Sequence, residues 1–313
     1  MSKPTLIALD WGTSNLRASL LDQNGEVLSH RSTPGGVMKV PAGQFSARLL
    51  DACGDWFREF AVPAIASGMV GSRQGWKEAP YLPCPATLTD VAQSLIQVEL
   101  EDAPGRTRCV HIAPGLSCLD DQQQADVMRG EETQLFGAAL SDADSCVLPG
   151  THSKWVWMGE QGGIRSFRTY MTGELFGVLS QHSILGRLMQ WHEPPQEMDL
   201  AAFTAGVNLA KSAAGHLSHT LFATRTSGLM GHWSPHQLPD FLSGILLGSE
   251  VVSALAGPHH SGQVALLGDE ALCDRYAIAL ELNGVASRKI HQDATTQGQF
   301  LLAQAAGLIS NHT

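Results

Sequence analysis

Residues 9–17 read LDWGTSNLR. They follow the apolar residues 5–8, TLIA, which are typical of a buried β-strand, so that Asp10 stands as a lone acid at the end of the strand. After Trp11 come Gly12, Thr13 and Ser14, which are small and polar or flexible. A strand that ends in a carboxylate and such a turn is either an ordinary turn or a site for a phosphate group and its metal ion. These nine residues alone leave both interpretations open.

The same plan recurs in the second half of the chain. Residues 146–172 read CVLPGTHSKWVWMGEQGGIRSFRTYMT, which is an apolar strand, a Gly-Thr turn, a second strand, a glycine turn and a third strand. One common offset in numbering relates three pairs of residues: Gly12 and Gly150, Thr13 and Thr151, Gly25 and Gly163. Two facing β-hairpins whose glycine turns present backbone N–H groups are suited to hold a polyphosphate. The repeat therefore predicts a phosphate-binding hairpin at the start of each half.

The rest of the chain alternates between the spacing of strands and the spacing of helices. The pattern predicts helices across 45–60, 86–100 and 172–191, a strand across 61–69, and a last helix across 297–309. Strands that alternate with helices predict an α/β fold. The length favours two domains, which we place at 1–143 and 144–313, with the last helix packing back on the first domain.

Composition narrows the classes of function. The chain has 313 residues, of which 43% are hydrophobic, and a formal net charge of −10. Nucleic-acid surfaces are normally basic, so we expect a small-molecule ligand and no nucleic acid. The six cysteines form no C-x-x-C pair. The N-terminus leaves no room for a signal peptide, and no stretch shows the roughly 18 apolar residues of a membrane span, so we expect a cytoplasmic protein without a membrane partner.

Several motifs occur in a fixed order along nearly the whole chain: LDWGTSNLRA, ASGMVGSRQGW, DVMRGEETQLFGA, LPGTHSKWVWM and FRTYMTGELFGVLSQHSILG. Together they make the chain similar to the 2-dehydro-3-deoxygalactonokinase family, within the actin, hexokinase and heat-shock chaperone superfamily. The resemblance implies two domains of the actin-like ATPase, ribonuclease H-like type, each opened by a β-hairpin, with an ATP cleft between them. It also implies an ATP- and Mg²⁺-dependent kinase of galactonate degradation, which phosphorylates the 6-hydroxyl of 2-dehydro-3-deoxy-D-galactonate or a close 2-keto-3-deoxy sugar acid.

The turns supply the residues expected to bind ATP. They are Gly12, Thr13, Ser14, Asn15 and Arg17 in the first hairpin, Gly150, Thr151, His152, Ser153 and Lys154 in the second, and Gly268 and Asp269 in a stretch that resembles an adenosine-binding turn. Asp10 is expected to hold Mg²⁺ or its water shell. The role of His152 stays open, because a single histidine among 13 is more often structural.

The glycine-rich loop 67–81 is the expected site of the sugar acid. It supplies an aromatic face for C–H groups, a carboxylate for hydroxyl groups and a cation for the acid group. The expected binding residues are Ser67, Gly68, Met69, Arg73, Trp76, Glu78, Tyr81 and also Arg129. The structural alternative is a surface loop with a half-buried tryptophan.

The segment RGEETQ, residues 129–134, supplies the expected catalytic base. Glu131 is the first choice, with Glu132 and Asp126 as alternatives, although acids in a first helical turn also occur simply because the helix dipole favours them. Related sugar kinases carry an aspartate at the comparable place, and the Glu pair resembles that of superfamily phosphatases that cleave polyphosphate or guanosine pentaphosphate. A phosphohydrolase is therefore the second hypothesis.

Two other classes of protein fit less well. A nucleotide-switched binding protein is a third hypothesis, although the chain shows no peptide-binding domain. A dinucleotide enzyme is weaker still, because no G-x-G-x-x-G follows the first strand. A homodimer is compatible with the sequence, which does not decide the oligomeric state.

Overall fold

The computed structural model describes residues 3–120, 122–140, 145–194, 196–213, 215–257, 262–290 and 293–310. The chain forms two units, of which the first comprises Met1–Asp142, Met158–Ser166 and Gln292–Thr313. The second comprises Ala143–Trp157 and Phe167–His291. The domain boundary expected at residues 143 and 144 falls outside the described residues, so it stays a prediction.

The strands are, in chain order, β1 (Pro4–Trp11), β2 (Leu16–Asp22), β3 (Val27–Thr33), β4 (Ala64–Ser67), β5 (Tyr81–Pro83), β6 (Ile96–Ala103), β7 (Arg106–Ile112), β8 (Gly115–Leu119), β9 (Ala125–Met128), β10 (Ser145–Leu148), β11 (Ser153–Met158), β12 (Ile164–Tyr170), β13 (Val264–Leu266) and β14 (Ser287–Lys289). The helices are α1 (Phe45–Glu59), α2 (Leu88–Gln93), α3 (Glu131–Gly137), α4 (Thr172–His182), α5 (Leu200–Ser212), α6 (Leu217–Thr220), α7 (Ala223–Leu229), α8 (Leu238–Leu255), α9 (Glu270–Leu282) and α10 (Ala294–Ala305).

The first unit is organised around a six-stranded sheet in the order β3-β2-β1-β4-β7-β6. β1 pairs antiparallel with β2 and parallel with β4, so it lies in the middle of the sheet. Its side chains alternate between the two faces, and Ile7, Leu9 and Trp11 pack into a core that α1 covers. Asp10 lies opposite Ser67 on β4 and opposite Arg17 on β2. The register therefore gathers three predicted site residues at the carboxyl end of β1.

The second unit repeats this order of strands. Its five-stranded sheet runs β12-β11-β10-β13-β14, in which β10 is antiparallel to β11 and parallel to β13. The hairpin predicted at the start of each half of the chain is thus confirmed. Trp155 and Trp157 of β11 pack with Phe203 and Val207 of α5 and with α8 and α9 in the core of this unit.

The last helix, α10, belongs to the first unit. It approaches α3 so closely that a β-carbon built on Gly298 would lie 1.8 Å from the Thr133 carbonyl oxygen. On α3, a β-carbon on Gly137 would lie 2.0 Å from the Ala294 carbonyl oxygen. Glycines at these positions allow the two helices to meet backbone to backbone, and they fix α3, which begins at Glu131.

Two helices expected from the sequence are shorter in the structure. The helix expected across 86–100 ends at Gln93, and Ile96–Ala103 form β6, whose side chains alternate between buried and exposed. The helix expected across 172–191 ends at His182. In both cases the apolar residues that follow the end of the helix were interpreted as its continuation.

Helix α8 is long and apolar enough to cross a membrane by length and composition, with a mean hydropathy of 1.4. This differs from the expectation that no stretch reaches such apolarity. Within the protein 67% of the helix is buried, as is usual for a core helix.

Gly298→Ala is expected to lower the midpoint of thermal unfolding, because the added methyl group would push α10 away from α3. Overpacking of this kind typically costs about 1–3 kcal/mol of unfolding free energy. Gly177→Ala is the matched control, since Gly177 also lies within a helix and nothing lies within 4 Å of its built β-carbon. The control should keep or raise the midpoint, because alanine favours helices. Scanning calorimetry measures both variants, and equal midpoints would contradict the close packing.

Candidate functional site

The first turn is exposed and closes on itself. The Gly12 amide donates to the Asn15 carbonyl at 3.0 Å, and Thr13, Ser14 and Asn15 are exposed. Residues 36–38 lie against the inner side of the turn: the amides of Val37, Met38 and Gly36 donate to the carbonyls of Gly12, Thr13 and Ser14 at 3.0, 3.4 and 3.0 Å. Three successive carbonyl oxygens of the turn are therefore occupied.

This arrangement leaves the N–H groups of the turn for a ligand. In the part of the chain that the structure describes, no backbone hydrogen bond uses the amides of Thr13 or Ser14. Successive free amides beside a hydroxyl group form a concave site for an anion. The phosphate residues predicted at Gly12, Thr13, Ser14 and Asn15 are thus placed together, whereas the segment 36–38 that orients them was not predicted.

Asp10 lies at the base of this turn. Its Oδ2 accepts a hydrogen bond from Nη1 of Arg17 at 2.9 Å, and 24% of its side chain is exposed. Burial raises the pKa of Asp10 by disfavouring its charged form, Arg17 opposes that rise, and the charge of Asp293 adds to it. Asp293 is the N-cap of α10, and it was missed because nothing near it in the sequence marks a site.

The surroundings of Asp10 suit a hydrated magnesium ion. Asp10, Arg17, His30 and Asp293 border a polar cavity of about 240 Å³. Across the described ranges no group of three or more His, Cys, Asp or Glu side chains could hold a metal. Mg²⁺ needs no such cage, since it usually keeps several waters and takes one or two carboxylates together with phosphate oxygens. The donor set therefore fits Mg²⁺ held through its water shell.

Two glycines shape the space beyond Asp10. Gly68 has φ 91°, and a β-carbon on it would lie 3.1 Å from the Trp11 carbonyl oxygen and 3.7 Å from Asp10 Oδ1. Gly130 has φ 108°, and its β-carbon would lie 3.0 Å from the Gly68 Cα. The Gly68 loop and the start of α3 therefore meet backbone to backbone next to Asp10, which places the predicted base segment beside the predicted metal ligand.

Gln299 of α10 joins two of these elements. Its Nε2 donates to the Leu9 carbonyl at 2.7 Å and to Ser67 Oγ at 2.9 Å, and the residue is 1% exposed. Ser67, expected to bind substrate, is buried and has its hydroxyl engaged in this bond. The structure thus gives Ser67 a part in holding the site together, and Gln299 was not found because its partners are remote in sequence.

The two glutamates at the start of α3 differ in exposure. Glu131 is half-buried, and its Oε2 accepts a hydrogen bond from the Arg129 amide at 2.9 Å. Glu132 is 0% exposed; its Oε2 accepts from the Gly130 amide at 2.7 Å and its Oε1 accepts from Thr133 Oγ1 at 3.0 Å. Burial, and then the charge of Glu131, raise the pKa of Glu132 from 4.5 to about 7. Both acids cap the helix, and only Glu131 is accessible.

The loop 67–81 separates into exposed and packed side chains. Arg73 is paired with Glu78 at 3.6 Å, with 84% and 54% of their side chains exposed. Trp76 is half-buried and packs edge to face on Trp11, with ring centroids 6.2 Å apart, and Met69 also lies against the core. This packing of Trp76 is what the structural alternative, a surface loop with a half-buried tryptophan, predicts. The sugar-binding role of Trp76 stays a prediction. Asp126, the alternative base, accepts a hydrogen bond from the Val127 amide at 2.7 Å.

The second turn, in the second unit, joins β10 to β11 and lies against the start of α4. Thr151 and His152 are exposed, and the Thr151 carbonyl accepts a hydrogen bond from the Glu174 amide at 3.0 Å. Gly173 allows this approach, since a β-carbon there would lie 2.5 Å from the Gly150 carbonyl oxygen. His152 Nε2 pairs with the Glu174 carboxylate, which gives the histidine a structural partner.

Ser153 and Lys154 do not lie open at this turn. Ser153 is 0% exposed, and its hydroxyl donates to Glu250 Oε1 at 2.8 Å; Trp155 Nε1 and the Tyr276 hydroxyl donate to the same oxygen. Lys154 is 6% exposed, and its Nζ donates to Thr169 Oγ1 at 2.7 Å. Because both side chains are buried and bonded within the unit, the expected phosphate contact of Ser153 is not supported, and that of Lys154 would require its side chain to move.

The predicted adenosine turn lies next to the second phosphate turn within the same unit. The Leu267 amide donates to the Val147 carbonyl at 3.0 Å, and a β-carbon on Gly268 would lie 3.4 Å from Pro149 Cδ. Asp269 is the N-cap of α9 and accepts a hydrogen bond from the Leu272 amide at 3.1 Å. Asp269 therefore stabilises the start of α9, and its contact with adenosine stays a prediction.

The family model of 2-keto-3-deoxy-galactonokinase matches residues 10–302. The chain belongs to this family. It is 38% identical over 292 residues to the 2-dehydro-3-deoxygalactonokinase of Escherichia coli (strain K12), which covers 93% of this chain and 94% of that protein. It is therefore a sugar-acid kinase, which is a phosphotransferase.

Solved structures agree with this assignment. A crystal structure from Sinorhizobium meliloti, of a protein assigned to the same enzyme, is 35% identical and has a TM-score of 0.84 over 96% of this chain and 98% of that one. A carbohydrate kinase from Novosphingobium aromaticivorans, 12% identical, has a TM-score of 0.51 over 98% of this chain and 92% of that one. The second likeness shows the fold alone, and the predicted α/β fold is confirmed.

Asp10→Asn is expected to lower kcat by about 10²-fold or more, because asparagine keeps the shape and removes the charge near the transferring phosphoryl group. The midpoint of unfolding should change little. Asp55→Asn is the control, since Asp55 is a half-exposed acid paired with Arg31 and lies outside the site. Steady-state kinetics over a range of Mg²⁺ concentrations measure the effect. Near-normal turnover of Asp10→Asn at all Mg²⁺ concentrations would contradict a metal role for Asp10.

Glu131→Gln is expected to lower kcat by about 10²–10⁴-fold with little change in the KM for ATP, because only the accessible glutamate can act as a base. Glu132→Gln should affect kcat less. A larger loss in Glu132→Gln would reverse the roles, and no loss in either would move the base to Asp126.

The two variants should also differ in the pH dependence of stability. Since the pKa of Glu132 is raised from 4.5 to about 7 in the folded protein, its contribution is most favourable below the lower value and is lost as the pH rises through the upper one. Glu132→Gln should therefore flatten the fall in unfolding midpoint over that pH range, whereas Glu131→Gln should flatten it only in part, because burial is the larger cause of the raised pKa of Glu132 and the charge of Glu131 is the smaller one. Thermal unfolding at a series of pH values measures this.

Proposed function

We propose that the chain transfers the γ-phosphoryl group of ATP to the 6-hydroxyl of 2-dehydro-3-deoxy-D-galactonate, or of a close 2-keto-3-deoxy sugar acid, as a cytoplasmic enzyme of galactonate catabolism. The 2-dehydro-3-deoxygalactonokinase of E. coli is similar to this protein over most of both chains. The observation that carries the chemistry is the first turn, where the unused amides of Thr13 and Ser14 stand beside the partly exposed carboxylate of Asp10.

Each phosphate-binding turn supports the proposal by itself. In the first turn the carbonyls of Gly12, Thr13 and Ser14 are bonded away from the exposed side, so that amides and hydroxyls remain for phosphate oxygens. In the second, Gly150 and Thr151 lie at the N-terminus of α4, where the helix dipole favours negative charge. Phosphoryl transfer depends mainly on positioning and charge neutralisation, which such turns provide.

In the reaction, the O6–phosphorus bond forms while the bond between the γ-phosphorus and the β,γ-bridging oxygen breaks, and ADP leaves. The accessible carboxylate of Glu131 accepts the hydroxyl proton, or holds the hydroxyl in line, from the start of α3. Asp10 would hold Mg²⁺ through its water shell, and the ion would neutralise phosphate charge. Arg17 keeps the Asp10 carboxylate in place and favours its charged form.

A coupled assay tests the function directly. The protein is incubated with ATP and Mg²⁺ and with a panel of aldonic acids and 2-keto-3-deoxy acids, while ADP and free phosphate are followed in parallel. ADP formed only with a 2-keto-3-deoxy acid, in equal amount with a phosphorylated product and without free phosphate, supports the kinase. Free phosphate from ATP, polyphosphate or guanosine pentaphosphate without a sugar acid would instead support a phosphohydrolase.

Thr13→Val and Thr151→Val are each expected to weaken ATP binding by about 10-fold to 100-fold, the usual effect of losing a hydrogen bond to a charged group. Binding of the sugar acid without nucleotide should stay unchanged. Thr226→Val is the control, because the exposed Thr226 bonds only to its own helix among the contacts described. Isothermal titration measures both ligands. An equal loss for ATP and for sugar acid would mean that the threonines stabilise the turns instead.

A further inference from the structure

Arg129 is a buried cation that uses little of its hydrogen-bonding capacity. The residue is 9% exposed, and its Nη2 donates to the Ala79 carbonyl at 2.9 Å. Its Nε and Nη1 are buried and have no hydrogen-bond partner. A guanidinium group has five N–H donors and always carries its charge. Most of the donors of Arg129 are therefore unsatisfied in the protein alone.

The charge of Arg129 is also unbalanced. Among the described residues, no carboxylate lies within ion-pair distance of its guanidinium, whereas two half-buried arginines, Arg108 and Arg275, are paired with Asp102 and Asp240. Burial of a charge without a partner is costly, and it persists where a ligand supplies the partner. Arginine binds a carboxylate with two parallel hydrogen bonds, and Nε and one Nη form such a pair of donors.

Tyr81 covers the guanidinium on one face. The Arg129 Cζ lies 4.2 Å from the centroid of the Tyr81 ring, which is a cation–π contact. Tyr81 is 41% exposed, so part of this cover faces solvent. On the other side the guanidinium lies against Gly71: a β-carbon built there would lie 3.0 Å from Arg129 Nη1, so a side chain at this position would crowd the unpaired nitrogen.

Arg129 adjoins the candidate base along the chain. Its own amide donates to Glu131 Oε2, while its side chain extends to Ala79 and Tyr81 of the predicted sugar-acid loop. The other arginine of that loop, Arg73, is 84% exposed and already paired with Glu78, so it is the weaker candidate for recognising an acid.

We infer that Arg129 binds the C1 carboxylate of the substrate, with Tyr81 as a movable cover, and that this residue makes the enzyme specific for sugar acids over neutral sugars. The inference rests on the proposed kinase function and assigns the part of the substrate that Arg129 recognises. The carboxylate oxygens accept hydrogen bonds from the guanidinium nitrogens that have no partner in the protein. The opposite end of the six-carbon chain carries the hydroxyl that is phosphorylated.

The test compares two acceptors in three proteins. The acceptors are 2-dehydro-3-deoxy-D-galactonate and its neutral analogue, in which a hydroxymethyl group replaces the C1 carboxylate. The proteins are the wild type, Arg129→Gln and the control Arg31→Gln, since Arg31 also lies over an aromatic ring, that of Trp56, and is paired with Asp55 outside the site. For the acid, Arg129→Gln should lower kcat/KM by about 10²-fold, as expected when a buried charge pair is lost. For the neutral analogue it should change kcat/KM less than about threefold, so the preference for the acid is lost, whereas Arg31→Gln keeps it.

Further measurements separate binding from folding. Arg129→Gln should keep the wild-type affinity for ATP and a midpoint of unfolding at least as high as that of the wild type, because it removes an uncompensated buried charge. Arg129→Lys, which keeps the charge but lacks the paired donors, should restore only part of the preference for the acid. Equal losses for both acceptors together with a lowered midpoint would show that Arg129 is structural and overturn the inference.

The outcomes also separate the inference from the function. A wild type that phosphorylates the acid, with an Arg129→Gln variant that still prefers it, would overturn the role of Arg129 and leave the kinase function intact. A wild type that phosphorylates no 2-keto-3-deoxy acid would overturn both.

Discussion

The candidate phosphate site depends on one close approach of backbone to backbone. A β-carbon on Gly36 would lie 2.3 Å from the Thr13 carbonyl oxygen and from the Ser14 carbonyl carbon. Because position 36 has no side chain, residues 36–38 can reach the three carbonyls of the first turn with their amides. Those bonds determine which way the peptide groups of the turn face, and free amides on the opposite side are the consequence. The orientation of the amides of the turn is thus set by residues 36–38, which lie outside the turn.

Helix α10 imposes a second constraint within the first unit. Gln299 bonds to the Leu9 carbonyl and to Ser67, Gly298 lies against the backbone of Thr133, and Asp293 stands close enough to Asp10 to affect its pKa. One helix therefore touches β1, β4 and α3, the three elements that carry Asp10, the Gly68 loop and Glu131. Its hydrogen bonds and its glycine contact fix the elements of this site relative to one another.

Local patterns in the sequence predict the parts of the fold that depend on local forces. The two Gly-Thr turns, the hairpins around them and the start of α2 at the Thr87–Asp90 capping box all follow from short-range preferences. β6 was missed because the apolar residues of 86–100 fit both the period of a helix and the period of a strand, and only pairing within the sheet decides between the two. Gln299 could not be found by any local pattern, since its bond to Leu9 joins residues 290 positions apart. The same holds for Gly36, which reads as part of an ordinary glycine turn.

The segment Arg129-Gly130-Glu131 carries both residues of the proposed substrate recognition. Arg129 is proposed to bind the carboxylate of the sugar acid, and Glu131 is proposed to activate its hydroxyl group. Gly130, at φ 108°, takes a conformation that a residue with a side chain rarely adopts, and it lies against Gly68. This bend sends the Arg129 side chain into the loop of Tyr81 and leaves Glu131 at the start of α3. In the proposed arrangement the distance between the group that binds the carboxylate and the group that activates the hydroxyl is fixed by one rigid segment. In that arrangement the backbone geometry of the segment would select acids by chain length, because a substrate would have to reach both residues at once.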